Sequence, residues 1–185
     1  MIRRWLMIGS LALGSLALAG LVFAQPSMGG CIRMVFDHYC LGGSFSQLLR
    51  ERAPDFAPVT DGDRRGVVYR AERELVYVMA YRDHIYKILQ TYEPGNQVTF
   101  KELQRHLQEK YGQPADQSVF PEYVRNMSGK IGAIRRGEGE MQLVWHLPGE
   151  DWRLELSWMR KPGISIAYLA NELDAEQQKA RLDGL

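Results

Sequence analysis

The residues of this chain best suited to chemistry are two cysteines, four histidines and a few adjacent charges. Cys31 and Cys40 are its only thiols. His38 stands two residues before Cys40, the arrangement of a thiolate beside a base. In an exported chain an even cysteine count reads instead as a disulfide, Cys31–Cys40, and a bonded sulfur cannot act as a nucleophile. His38, His84, His106 and His146 lack metal-ligand spacing, and no His-Glu-x-x-His pattern occurs. Glu138 with Glu140, and Glu150 with Asp151, are carboxylate pairs of the kind that hydrolyse glycans. Both sit at glycine-bearing turns, with no apolar run around them to raise one pKa. Arg135-Arg136 is a single basic dipeptide, short of an anion-binding patch. The expectation is no catalytic residue, no metal and no cofactor.

Export is written into the first residues. Arg3 and Arg4 precede an apolar run from Leu6 to Phe23, and Val22-Phe23-Ala24 ends in the small residues that a signal peptidase reads. Residues 1–24 are therefore expected to be a signal peptide cleaved before Gln25. An uncleaved anchor over Leu6 to Ala24 is one alternative. A lipoprotein box at Met28-Gly29-Gly30-Cys31, with Cys31 acylated, is another. Cleavage removes two arginines and no acid, which turns the formal charge of +1 into −1. A near-neutral chain has no electrostatic case for holding nucleic acid. No later run is apolar enough to span a membrane, so the expected location is periplasmic or secreted. The remaining 161 of the 185 residues suffice for one domain with its own core.

The elements that must position any site follow from caps, stripes and turns. Ser44-Phe45-Ser46-Gln47 and Thr99-Phe100-Lys101-Glu102 both read as capping boxes. The first opens a helix with Phe45, Leu48 and Leu49, ending before Pro54. The second carries Phe100, Leu103, Leu107 and Tyr111 on one stripe, a Val98–Leu103 staple, and a stop at Gly112. Strands are expected at Val67 to Ala71, Glu74 to Tyr81 and Ile85 to Tyr92. Later strands are expected at Lys130 to Arg135, Met141 to Leu147, Arg153 to Arg160 and Ile164 to Leu169. Arg153 to Trp158 alternates, with Leu154, Leu156 and Trp158 inward and Arg153, Glu155 and Ser157 outward. The fold class is thus α+β, an antiparallel sheet with two short helices on one face. It forms a single domain over 25–173, in two tandem halves, 25–97 and 98–173. Residues 174–185 add a weakly held helix or tail with Asp174 as its cap.

The Phe-x-x-Leu helix ending in Lys110-Tyr111-Gly112-Gln113-Pro114, followed by a strand meander, resembles exported bacterial domains built from tandem helix-plus-sheet repeats. The β-lactamase-inhibitor-protein fold and the small lipoprotein of the outer-membrane assembly machine share that architecture. The resemblance implies a protein-binding module and fixes no functional residue.

The aromatic residues suggest where binding would occur. Along Glu74 to Tyr81, Val76, Val78 and Ala80 share one face, and Leu75, Tyr77, Met79 and Tyr81 the other. The second set has an interface-like composition, and Tyr69 is expected to join it from the neighbouring strand. The alternative is a sheet covered on both faces. The function expected is an exported, non-catalytic binding module of the cell envelope, an inhibitor, assembly factor or adaptor, with an unknown envelope protein as partner. An envelope hydrolase with a site assembled from distant residues, or a small-ligand binder, is the alternative.

Overall fold

The computed structural model describes residues 30–183. The expected signal peptide, its cleavage point before Gln25 and the last two residues lie outside them. A hairpin of β1 (Arg33–Val35) and β2 (Tyr39–Leu41) comes first, turning at Phe36 and Asp37, whose φ values are 49° and 57°. Positive φ at both central residues is the type I′ geometry that matches strand twist. A disulfide joins Cys31 to Cys40 across the base of this hairpin, with Cα atoms 5.3 Å apart. With its sulfur so engaged, Cys31 offers no thiol for acylation.

Helix α1 (Phe45–Glu51) starts where expected: the Ser44 hydroxyl accepts the Gln47 amide at 3.1 Å. The reciprocal arm of the box is unmade, because the Gln47 side chain bonds Glu51 at 2.7 Å instead. Helix α2 (Gln97–Tyr111) corrects the second cap. Asn96, not Thr99, holds its N-terminus, accepting from the Val98 and Thr99 amides at 2.9 and 3.0 Å. An Asn placed just after Gly95 competes well for that role. It pushes Thr99 into the first turn and leaves Val98 64% exposed, so no staple forms. The Gly112 stop is as read.

A second correction is larger. Lys130 to Arg135, expected as a strand, lies within helix α3 (Met127–Arg136). Gly129 and Gly132 lower its helical signal, but both ends are chemically closed. Asn126 accepts the Gly129 amide at 2.8 Å, and Gly137 adopts the left-handed conformation at φ 79°.

The strands are β3 (Val59–Asp61), β4 (Arg64–Ala71), β5 (Glu74–Tyr81), β6 (His84–Tyr92), β7 (Ala115–Asp116), β8 (Met141–His146), β9 (Trp152–Trp158) and β10 (Ile164–Ala170). They form one antiparallel sheet in the order β3-β4-β5-β6-β10-β9-β8-β7. Two meanders thus meet at the β6–β10 pair, where Tyr92 lies opposite Ile164 and Lys87 opposite Leu169. Helix α4 (Asn171–Asp183) follows β10 directly. Asp174 lies inside it and is buried, so it is not the cap that the sequence suggested.

One face of the sheet is the core. Val67, Val78, Ile88, Leu154, Leu156 and Ile164 of the sheet pack against Phe45, Leu48, Phe100, Leu107 and Ile134 of α1, α2 and α3. Each such side chain taken from water contributes about 1.5–3 kcal/mol. The β1–β2 hairpin covers the same face. There the Arg33 guanidinium lies 4.1 Å from the Trp152 ring centroid and 5.8 Å from that of Tyr168, and donates to the Tyr111 hydroxyl at 3.4 Å. Phe36 meets Tyr168 edge-on at 5.6 Å. Burial pushes the Tyr168 phenol up to about 12, with Tyr111 adding to it.

Candidate functional site: the second face of the sheet

Strand alternation sends every other side chain to the face away from α1, α2 and α3. The register aligns them in rows. One row runs Val68, Tyr77, Leu89, Ala167, Glu155 and Val144; the next holds Met79, Lys87, Leu169, Arg153 and His146. A third aligns Thr91, Ser165, Ser157 and Gln142. Leu89, Ala167 and Leu169 form a small apolar cluster, with Tyr77 packed on it. The Ser165 hydroxyl is buried without a hydrogen-bond partner.

A register shift after Met79 shapes the same face. The extra residue on β6 is Tyr86, whose hydroxyl points at the Met79 sulfur, 3.8 Å away. A bulge re-aims one side chain in this way. Burial, then the nearby Asp174 charge, raises the Tyr86 phenol above its ordinary pKa.

Helix α4 packs over part of this face, touching β6 and β10. Beneath it lies a chain of charges. Lys87 stands 4.0 Å from Glu155; Arg153 bonds Glu155 at 2.9 Å and Asp174 at 2.5 Å. Their side chains are only 6–24% exposed. Burial works against the Arg153 charge, yet the hydrogen bond to Asp174 and the Glu155 charge outweigh it and raise its pKa. A second pair, Arg82–Glu176 at 3.0 Å, ties α4 to the β5–β6 turn at the surface. Two open clefts flank the helix. One, about 510 Å³, is lined by Gln142, Val144, His146, Arg153 and Asp174. The other, about 540 Å³, is lined by Arg64, Met79, Tyr86, Gln177 and Leu182.

Four tyrosine and methionine candidates were expected on one open surface, and the structure separates them. Tyr77 and Met79 do lie half-buried on the second face. Tyr69 does not: it pairs with Val76 on the core face, fully buried, its ring 5.5 Å from Tyr39 and 4.9 Å from the Arg52 guanidinium. Tyr81 is 5% exposed, with the Arg82 guanidinium 4.9 Å over its ring. Tyr69 was misplaced because the β4–β5 register cannot be read from one strand alone.

The other candidates stay apart. The four histidines are all exposed, and among the described residues no three His, Cys, Asp or Glu side chains gather to hold a metal. Glu138 is taken by Arg136 at 2.7 Å and the Tyr123 hydroxyl at 2.8 Å, and the Arg136 hydrogen bond holds its carboxyl below the usual range. Glu150 accepts the Trp152 indole N–H at 2.7 Å. The buried charges under α4 were missed by sequence reasoning. The available signal was Lys87, the one charge inside Ile85-Tyr86-Lys87-Ile88-Leu89, together with an Arg153/Glu155 alternation that reads as solvent-facing. Both carboxylates of the network accept from Arg153, so each buried charge faces an opposite one.

No family model matches the chain, and no curated protein matches it. Among solved structures, a cysteine-rich secretory protein from Staphylococcus aureus matches with a TM-score of 0.38 and 12% identity, over 70% of this chain and 44% of that one. The chain therefore spans less than half the length of that protein.

Proposed function

We propose that this protein is an exported, non-catalytic protein-binding module of the bacterial cell envelope, periplasmic or secreted, that binds through the second face of its sheet. An inhibitor, assembly factor or adaptor would act in this way. The Cys31–Cys40 disulfide supports an oxidising compartment, and no helix among the described residues is long and apolar enough to cross a membrane. We read the two meanders as tandem units, 25–97 and 98–173. Placed side by side they give a sheet wider than its helices need, and that surplus face is the binding surface.

One observation carries this reading. Tyr77 packs half-buried on the Leu89, Ala167 and Leu169 cluster, and Met79 lies half-buried in the neighbouring row, on a face that α1, α2 and α3 do not cover. Large aromatic and thioether side chains so placed are the usual anchors of an interface. The charges alongside are mutually paired, which suits recognition better than reaction.

The test is a paired measurement on the native protein and a Tyr77→Ala, Met79→Ala double variant. Partners cross-linked from the native envelope should be lost in the variant while it still melts in one cooperative transition, lowered by several degrees. Unchanged partners with an intact fold would place binding elsewhere.

A further inference from the structure

The structure leaves α4 held by charge, where a docked helix is ordinarily held by an apolar stripe. Its two buried residues are Asp174 and Gln177, at 4% and 8% exposure. Leu173 packs toward the core cluster of the opposite face, and Leu182, beside Met79 and Tyr86, is 70% exposed. What fastens the helix is Asp174 on Arg153 and Glu176 on Arg82. An open cleft runs along each of its sides. Underneath lie Met79, Tyr86 and Leu169, continuous with Tyr77, Leu89 and Ala167.

We infer that α4 is a displaceable latch, occupying in the free protein the seat of an acidic amphipathic helix from a partner. The seat fits such a helix in both respects. Arg153 meets its carboxylate as it meets Asp174 here, and Lys87 stands alongside, 4.0 Å from Glu155. Met79, Tyr86 and Leu169 take apolar side chains that Gln177 does not supply. A partner helix with leucine in place of that glutamine buries apolar surface that α4 leaves unfilled, so it binds the open state better and shifts the population toward it. The inference rests on the second face being the binding surface, and the experiment separates the two.

The perturbation is an Asp174→Asn, Glu176→Gln double variant of the full exported chain, with Gln177→Leu as its opposite. Hydrogen exchange reads the latch. In the double variant the α4 amides exchange at least tenfold faster while the β9 and β10 amides hold, and peroxide oxidises Met79 faster. In Gln177→Leu both rates fall. The binding probe is a labelled synthetic peptide of residues 171–183 carrying Gln177→Leu. It binds the double variant at least tenfold more tightly than the native chain, and the same peptide with Asp174→Lys fails to bind. If α4 exchanges only with the whole sheet in all three proteins, the latch is wrong and the binding face stands. If α4 is released yet the peptide binds neither protein, the seat accepts no helix and the inference is overturned, while the binding face is judged separately by the Tyr77→Ala, Met79→Ala variant. Equal binding to both proteins means another site and overturns the inference.

Discussion

Truncating Tyr69 and truncating Tyr77 separates the two faces of the sheet, because two tyrosines close together in sequence sit in opposite environments. Tyr69 has no exposed surface, stacks at 5.5 Å on Tyr39, lies under Arg52 at 4.9 Å and donates to the Arg52 carbonyl at 3.4 Å. Tyr69→Ala removes a buried aromatic and leaves a cavity, about 3–5 kcal/mol. The lost aromatic pair and cation–π contact account for about 1 kcal/mol more. The long hydroxyl contact adds little. About 4–6 kcal/mol is therefore expected, a large part of the stability of a domain of this size. Tyr77 packs from one side only on Leu89, Ala167 and Leu169, so Tyr77→Ala should cost about 1–2 kcal/mol from partial burial. Urea unfolding followed by tryptophan fluorescence measures both, since Trp145, Trp152 and Trp158 lie in the core. Equal slopes with shifted midpoints license the comparison. A loss above about 3 kcal/mol for Tyr77→Ala, approaching that of a fully buried aromatic, would show that the second face is not open and would refute the reasoning that makes it a binding surface.

Three further outcomes test the elements around it. Asn96→Ala should destabilise by about 1 kcal/mol and Thr99→Ala by clearly less, since Asn96 holds the first-turn amides of α2; thermal melts decide between the two caps. Replacing Cys31 and Cys40 by serine should cost about 2.5 kcal/mol, the loop-closure entropy for a separation of 9 residues, read by chemical denaturation. Asp83 accepts from Ser44, Ser46 and Arg65 at 2.5–3.0 Å. Burial alone would raise its carboxyl, but these hydrogen bonds and the Arg65 charge outweigh it and hold the pKa below the ordinary 3.8. Its ionised form therefore stabilises the fold above pH 3.8, and that contribution fades as pH falls through the folded value. Asp83→Asn should cost about 1 kcal/mol at neutral pH, after allowance for solvent screening. Melts taken across pH should show the gap to the native protein closing in acid.

What the sequence made legible was whatever a local rule decides. Ser44 capped its helix, Gly112 ended α2, and the alternation of Val76, Val78 and Ala80 found the core. The α+β class followed from those elements. Where two local signals competed, the weaker-looking one won: Asn96 over the Thr99 box, and two caps over the glycines of α3. What could not be read was anything fixed by how one element registers against another. Tyr69 faces the core because of its pairing with Val76. Arg153, Glu155 and Asp174 meet because β9 lies beside β10 and the chain folds back as α4. The bulge that turns Tyr86 toward Met79 has no glycine to announce it.

The union of β6 with β10 carries a kinetic consequence. These are the last strands of the two runs and the innermost strands of the sheet, so the first run must wait for the final strand to be delivered before its inner edge is covered. Until then β6 offers a nine-residue edge bearing Ile85, Ile88 and Leu89, a template for pairing with another chain. Pairing so distant in sequence is also slow to form. A chain arrested after residue 97 should therefore self-associate edge to edge, and the full chain has that interval to survive before β10 closes the seam.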